Sequence, residues 1–217
     1  MSDSQTVFGE RAVRREGDRE LPLGPKAQRT REAILVAAAT RFGEQGYQRT
    51  TVADVAEAAG VSLGTVYQYF RDRSELVAAL VHRSVSGLLE RDTTFRFAEG
   101  RAGIERVIGN FVSSYAAWAA MAGVWEEVSH VDDELAELRR SLGRIFTGSV
   151  ERELRRARRA GDLDPALDPA LTARALTGMV DRYCYVTYVF DPPADGPPDP
   201  AKSAAVLSHL WAAAIGL

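Results

Sequence analysis

The chain has 217 residues, 46% of them hydrophobic and 26% charged, with a formal net charge of −3. That is an ordinary globular composition, and the length admits one large domain or two small ones, more than a bare three-helix DNA reader needs. The single cysteine, Cys184, excludes an intramolecular disulfide and any multi-cysteine metal site.

A lone thiol fits a reducing, cytoplasmic setting. The N-terminus has no apolar run after its charges, so it does not read as a signal peptide. No apolar run approaches the roughly 18 residues of a membrane span. Net charge is only a sum: residues 1–83 carry 12 basic and 11 acidic side chains, whereas residues 84–217 carry 15 and 19. The acidity belongs to the C-terminal part, so the total does not exclude a nucleic-acid surface near the N-terminus.

Residues 1–26 are polar, with mixed charge, Gly and Pro, and predict a loosely held arm. From Thr30 the character changes. Ile34, Leu35, Ala38 and Phe42 recur at helical spacing, and Gly46 suits the position just past a helix end. Thr51 followed by Asp54 is a capping box in its Asp form, opening a short helix whose apolar face is Val52, Val55, Ala56 and Ala59. Gly60 ends it, and Ser62 caps a third helix from Leu63 to Phe70. Two helices of about eight residues joined by a short Gly-containing turn form a helix-turn-helix pattern. Asp72 to Glu75 then caps a fourth helix, and further helices are predicted over 75–97, 102–121, 123–130, 132–160, 167–191 and 201–216. The Pro-rich stretch 191–200 is a loop. No strand-like alternation persists, so the fold class is all-α.

On the third helix, Val66 and Phe70 face inward, leaving Leu63, Gly64, Thr65, Gln68 and Tyr69 on or beside the outer face. Gly64 costs about 1 kcal/mol in a helix kept only for stability, and it lets the backbone approach a groove edge closely. Thr51, Thr65, Tyr67 and Tyr69 carry hydroxyls suited to phosphate oxygens. Gln68 can pair with adenine in two places, and Leu63 can meet a thymine methyl. Arg29 and Arg31 can reach an adjacent phosphate or minor groove. Gly60-Val61-Ser62-Leu63-Gly64 also satisfies the Gly-x-Ser-x-Gly rule, but a helix precedes the serine where a nucleophile elbow needs a strand.

The residues Phe42, Gly46, Tyr47, Thr50 to Val52, Asp54 to Ala56, Ala59 to Ser62, Gly64 to Tyr67, Tyr69, Phe70, Glu75 and Leu76 closely resemble the DNA-binding domain of the tetracycline-repressor (TetR) family of transcriptional regulators. The resemblance implies an N-terminal three-helix reader over 27–74 and a C-terminal helical bundle over 75–217 for ligand binding and dimerisation. It adds Thr50, Ser62 and Arg73 to the DNA-binding set, with Thr51, Thr65, Tyr67 and Arg73 on the DNA backbone. It implies a palindromic duplex operator, a homodimer built by the last two helices, and a small-molecule effector, with no cofactor. Helix four joins reader to sensor. Two readers about 34–36 Å apart match successive major grooves.

In the C-terminal part, Phe111, Tyr115 and Trp118 recur on one helical face, and Met121, Trp125, His130, Phe146, Met179 and Tyr183 join them as candidates to line an apolar effector pocket. Each also reads as plain core. His82, His130 and His209 are isolated, without metal-ligand spacing. The run Arg152, Arg155, Arg156, Arg158 and Arg159 reads as a solvated helix face. Two other readings stand beside this one. One is a DNA-binding regulator without an inducer; the other is a small all-α enzyme using His130 with Glu126 or Glu127 as a base, for which no partner nucleophile motif is present.

Overall fold

Pro25 begins the first helix, where its missing N–H would have found no intrahelical partner in any case. This helix, α1 (Pro25–Gln45), starts earlier than the expected Thr30 and takes Lys26 out of the predicted arm. The structure, a computed structural model, describes residues 24–89 and 94–217. The rest of the arm lies outside the described residues.

The next three helices follow their caps. In α2 (Val52–Ala58) the Thr51 hydroxyl accepts from the Asp54 N–H at 3.2 Å, and the Asp54 carboxylate accepts from the Thr51 N–H at 2.7 Å. The Thr51 hydroxyl and N–H together hold the Asp54 carboxyl below its ordinary value, the hydroxyl being the larger cause. The support they lend to the cap is present above the ordinary carboxylate value and is lost as pH falls through the lowered one. In α3 (Leu63–Tyr69) the Ser62 hydroxyl accepts from the Thr65 N–H at 3.0 Å. Ahead of α4 (Arg73–Leu89), Asp72 accepts from the Glu75 N–H at 2.8 Å.

Beyond residue 94 the chain makes a 3₁₀ turn, Phe97–Glu99, and then α5 (Gly100–Ala117), α6 (Ala119–Ser129), α7 (Asp133–Ala160), α8 (Pro169–Tyr185) and α9 (Pro200–Ile215). The fold is all-α, and no strand occurs among the described residues. Several boundaries differ from expectation. The helix predicted over 75–97 spans Arg73–Leu89, and residues 94–96 are not helical. The helix predicted over 123–130 begins at Ala119. The helix predicted over 102–121 ends at Ala117, with Trp118 as its C-cap, and Met121 lies in the following helix instead. The helix predicted to 191 changes to a π-turn over Val186–Phe190. No single helix among the described residues is long and apolar enough to cross a membrane.

Packing divides the chain into two units. The first comprises the residues up to Ser86 together with Gly123–Arg139; the second comprises Gly87–Ala122 with Arg140–Leu217. In the first, Ile34, Phe42, Val55, Val66, Phe70, Leu76 and Leu80 are buried at the meeting of α1 to α4, and Val124, Val128, Leu135 and Leu138 are buried in the later segment. Each fully buried aliphatic side chain contributes about 1.5–3 kcal/mol. In the second, α9 packs against α5, and α5 against α8. Their core holds Ile104, Ile108, Val112, Leu154, Leu176, Leu207 and Trp211.

The π-turn widens the end of α8 by one residue per turn. Tyr183 and Tyr188, five apart, both bring their hydroxyls to the buried Ser203 on α9, at 3.0 and 2.9 Å. Cys184 is buried beside them; burial, with a smaller push from Asp181, raises its thiol to about 12. It is a small core group rather than a reactive thiol.

Candidate nucleic-acid interface

Helix α3 presents the face that its periodicity implies. Val66 and Phe70 are buried, while Leu63, Gly64, Tyr67 and Gln68 are exposed and Tyr69 is half-buried. A large aromatic at 53% exposure is an unusual residue to leave in water, and Tyr67 does so beside Leu63 at 43%. A Cβ added at Gly64 would meet nothing nearer than the Ser62 hydroxyl at 3.8 Å. No internal close approach therefore accounts for this helical glycine. The surface beside it is open.

A shallow depression of about 460 Å³ separates the starts of α2 and α3. Thr51, Val52, Ala53, Leu63, Tyr67, Arg71, Asp72 and Arg73 line it. Thr51, the N-cap of α2, and Leu63, the first residue of α3, both face this surface. The Thr51 hydroxyl also donates to Asp54 at 2.7 Å, and the Ser62 and Thr65 hydroxyls lie 2.8 Å apart. Arg71, absent from the expected set, is here. Its Nε donates to Glu75 at 3.4 Å, and its side chain remains largely exposed. Its residue type and its position just past α3 are the signal that the sequence carries for it.

Arg73 and Thr50, both expected to touch DNA, are committed inward. Arg73 donates from Nη1 to the carbonyls of Tyr47 at 3.0 Å, Gln48 at 3.4 Å and Thr50 at 2.9 Å. Its guanidinium also lies 4.6 Å from the centre of the Tyr47 ring. Thr50 is fully buried, and its hydroxyl donates to the carbonyls of Gly46 at 2.9 Å and Arg41 at 3.2 Å. A buried hydroxyl with both partners inside the protein is not available to a phosphate. These two residues build the turn that carries Thr51.

Arg29 and Arg31 lie on α1. Arg29 is exposed and donates to the Pro25 carbonyl at 3.2 Å, while Arg31 is half-buried with its guanidinium 5.3 Å from the Phe70 ring centre.

The expected effector residues do not all fall together. Phe111, Tyr115, Trp118, Met121, Phe146, Met179 and Tyr183 are in the second unit, and Trp125 and His130 are in the first. Phe111 stands at the centre of an aromatic group, 5.9 Å from Tyr115 and 6.2 Å from Phe146. Met121 is buried, and Met179 is half-buried against the core. Tyr183 spends its hydroxyl on Ser203. The His130 imidazole is exposed, 3.6 Å from Glu126, whose carboxylate also pairs with Arg139. That is a surface ion cluster, not a group enclosed by apolar walls. Among the described residues, no group of three or more His, Cys, Asp or Glu side chains could hold a metal ion.

On α8 and α9, Leu171, Val206 and Leu210 are exposed at 70%, 58% and 48%. Val206 and Leu210 are four apart and share a helix face.

Residues 34–80 match the family model for bacterial regulatory proteins of the tetR family. The HTH-type transcriptional regulator TtgR of Pseudomonas putida is 48% identical over 56 residues, 26% of this chain and 27% of its own length. The chain thus aligns with about a quarter of that relative. The HTH-type transcriptional regulator UidR of Escherichia coli is 26% identical over 158 residues, 71% of this chain and 79% of its own. The solved SmeT–triclosan complex superposes with a TM-score of 0.67 at 26% identity, over 86% of this chain and 91% of that one.

Proposed function

From its homology to the TetR/AcrR-family regulators, we propose that this chain is a homodimeric, ligand-responsive DNA-binding regulator acting as a repressor in the cytoplasm. The observation that carries the reading is the open face of α3: Leu63, Tyr67 and Gln68 are exposed around Gly64, and Leu63 and Tyr67 border a depression that Thr51 and Arg71 also line. A face made for packing would have buried those side chains.

The roles follow from chemistry. Thr51, Thr65, Tyr67 and Tyr69 offer hydroxyls to phosphate oxygens, and the largely exposed Arg71 offers a cation. Gln68 reads an adenine edge, and Leu63 meets a thymine methyl. Arg29 and Arg31 approach the flanking duplex from α1. The apolar side chains Leu171, Val206 and Leu210 support pairing of α8 and α9 with their twofold mates.

The effector is a small, largely apolar molecule bound among Phe111, Tyr115, Phe146 and Met179 in the second unit. The solved complex of SmeT with triclosan supports that class. Release from DNA requires the effector to favour a dimer whose readers no longer fit; equal affinity for both states would shift nothing.

Tyr67→Phe tests the interface. The variant keeps the ring and removes one phosphate-directed hydroxyl, so binding weakens by about three- to tenfold on every duplex alike. A gel-shift titration on two unrelated duplexes reads this directly. Unchanged affinity on both would remove Tyr67 from the interface.

A further inference from the structure

The turn from Gly46 to Thr50 is short, but it sets where Thr51 stands, and Thr51 opens α2. Gly46 begins the turn at φ +78°, a conformation that L side chains rarely adopt. Three elements of the first unit hold the turn in place. At the end of α1, the carbonyls of Arg41 and Gly46 accept the Thr50 hydroxyl. From α4, Arg73 reaches three carbonyls, and the Ser74 hydroxyl lies 3.1 Å from that of Tyr47. From α6, the Glu127 carboxylate accepts the Tyr47 N–H at 3.3 Å, across 80 residues of sequence.

The third contact differs in kind from the others. The first two come from helices of the reader itself or directly after it. Glu127 comes from the segment Gly123–Arg139, which packs in the same unit but is remote in sequence. Its place is also electrostatically odd. The C-terminal end of α1 carries partial negative charge, and a carboxylate is disfavoured there unless a donor holds it. The Tyr47 N–H is that donor: it lies beyond the last helical bond of α1, which Gly46 makes to Phe42 at 2.9 Å. Val124 and Val128 are buried on either side of Glu127 along α6, fixing the helix face from which it reaches. Glu126, next in sequence, turns instead to Arg139 and His130.

We infer that Glu127 is a positioning residue for DNA binding: by holding the Tyr47 amide, it fixes the Gly46–Thr50 turn and so the height at which Thr51 and the start of α2 meet the duplex. The inference rests on the DNA-binding reading above. It places a determinant of operator affinity on α6, some 50 residues beyond the last helix of the reader. A shift of α6 against this turn would move Thr51 without any change in the residues that face DNA. Geometry displaced by about 1 Å is enough to weaken a positioned polar contact.

The test compares the full-length parent with Glu127→Gln and Glu127→Met on a duplex that the parent selects from random DNA. Glutamine keeps an acceptor in place; methionine keeps the length and removes it. The expected result is about tenfold weaker binding by Glu127→Met, with affinity within about twofold of the parent for Glu127→Gln. Tyr47 amide exchange accelerates in the methionine variant alone, and its melting temperature stays within a few degrees. Parental affinity in Glu127→Met overturns the inference, as does equal weakening in both variants, which would assign the effect to charge. A collapse of melting temperature in step with affinity would make the role merely structural and overturn it too. Failure of the parent to select any duplex would overturn this inference and the DNA-binding reading together; a selecting parent with an indifferent methionine variant overturns this inference alone.

Discussion

Arg73→Met is expected to lower the melting temperature of the first unit by about 5–10 °C, whether or not DNA is present. The substitution removes donors to three carbonyls and the cation over the Tyr47 ring. Carbonyls left half-buried without partners cost about 1–3 kcal/mol, and loss of the cation over the ring adds about 0.5–1. A loss of about 2–3 kcal/mol is a large fraction of a domain's total stability. Lysine recovers part of it, because an ammonium can reach some of the carbonyls that Nη1 holds but lacks the flat cation that lies over the Tyr47 ring. DNA binding falls as well, through the displaced Thr51. Thermal scans of both variants, monitored by circular dichroism without DNA, separate a structural role from a pure phosphate contact. A phosphate contact would leave the melting temperature unchanged in both variants and weaken DNA binding in the methionine variant while lysine largely keeps it.

Leu210→Asp is expected to dissociate the proposed dimer. Leu210 and Val206 form an apolar face on α9 that its own chain leaves about half exposed. At a twofold interface every substitution counts twice. Losing two leucine contacts forfeits about 3–6 kcal/mol, and burying two unpaired carboxylates adds to that. The dissociation constant should rise by at least about a hundredfold. Sedimentation at micromolar concentration reads the mass, and circular dichroism should show helix content unchanged. Operator binding falls with the dimer, since one recognition helix covers only a few base pairs. A variant that remains dimeric would place the interface elsewhere.

Local rules carried the N-terminal helices. Thr51 with Asp54, and Ser62 before Leu63, are caps whose partners lie within three residues, so sequence alone contains them. The burial of Val66 against the exposure of Tyr67 follows from helical period. What sequence did not reveal is long-range. Arg73 folds onto carbonyls 23 to 26 residues away, and Glu127 reaches Tyr47 across 80. A cation near a recognition helix reads as a phosphate contact until its partners are known, and Thr50 reads as an exposed hydroxyl until its neighbours close over it. The break at Trp118 was also invisible, because neither Gly nor Pro marks it. The effector residues were the least legible. Aromatic spacing on one helix marks a buried face, and it does not distinguish a packed core from the wall of a cavity.

The measurement that bears most directly on DNA reading by a dimer is selection from random duplex DNA, followed by determination of how many chains bind the selected site. The expected product is a palindrome whose half-site centres lie about 10 base pairs apart or a multiple of that, bound by two chains, with Gln68 and Leu63 required for the sequence that is enriched. Absence of any enriched sequence, or a single chain on an asymmetric site, would contradict it.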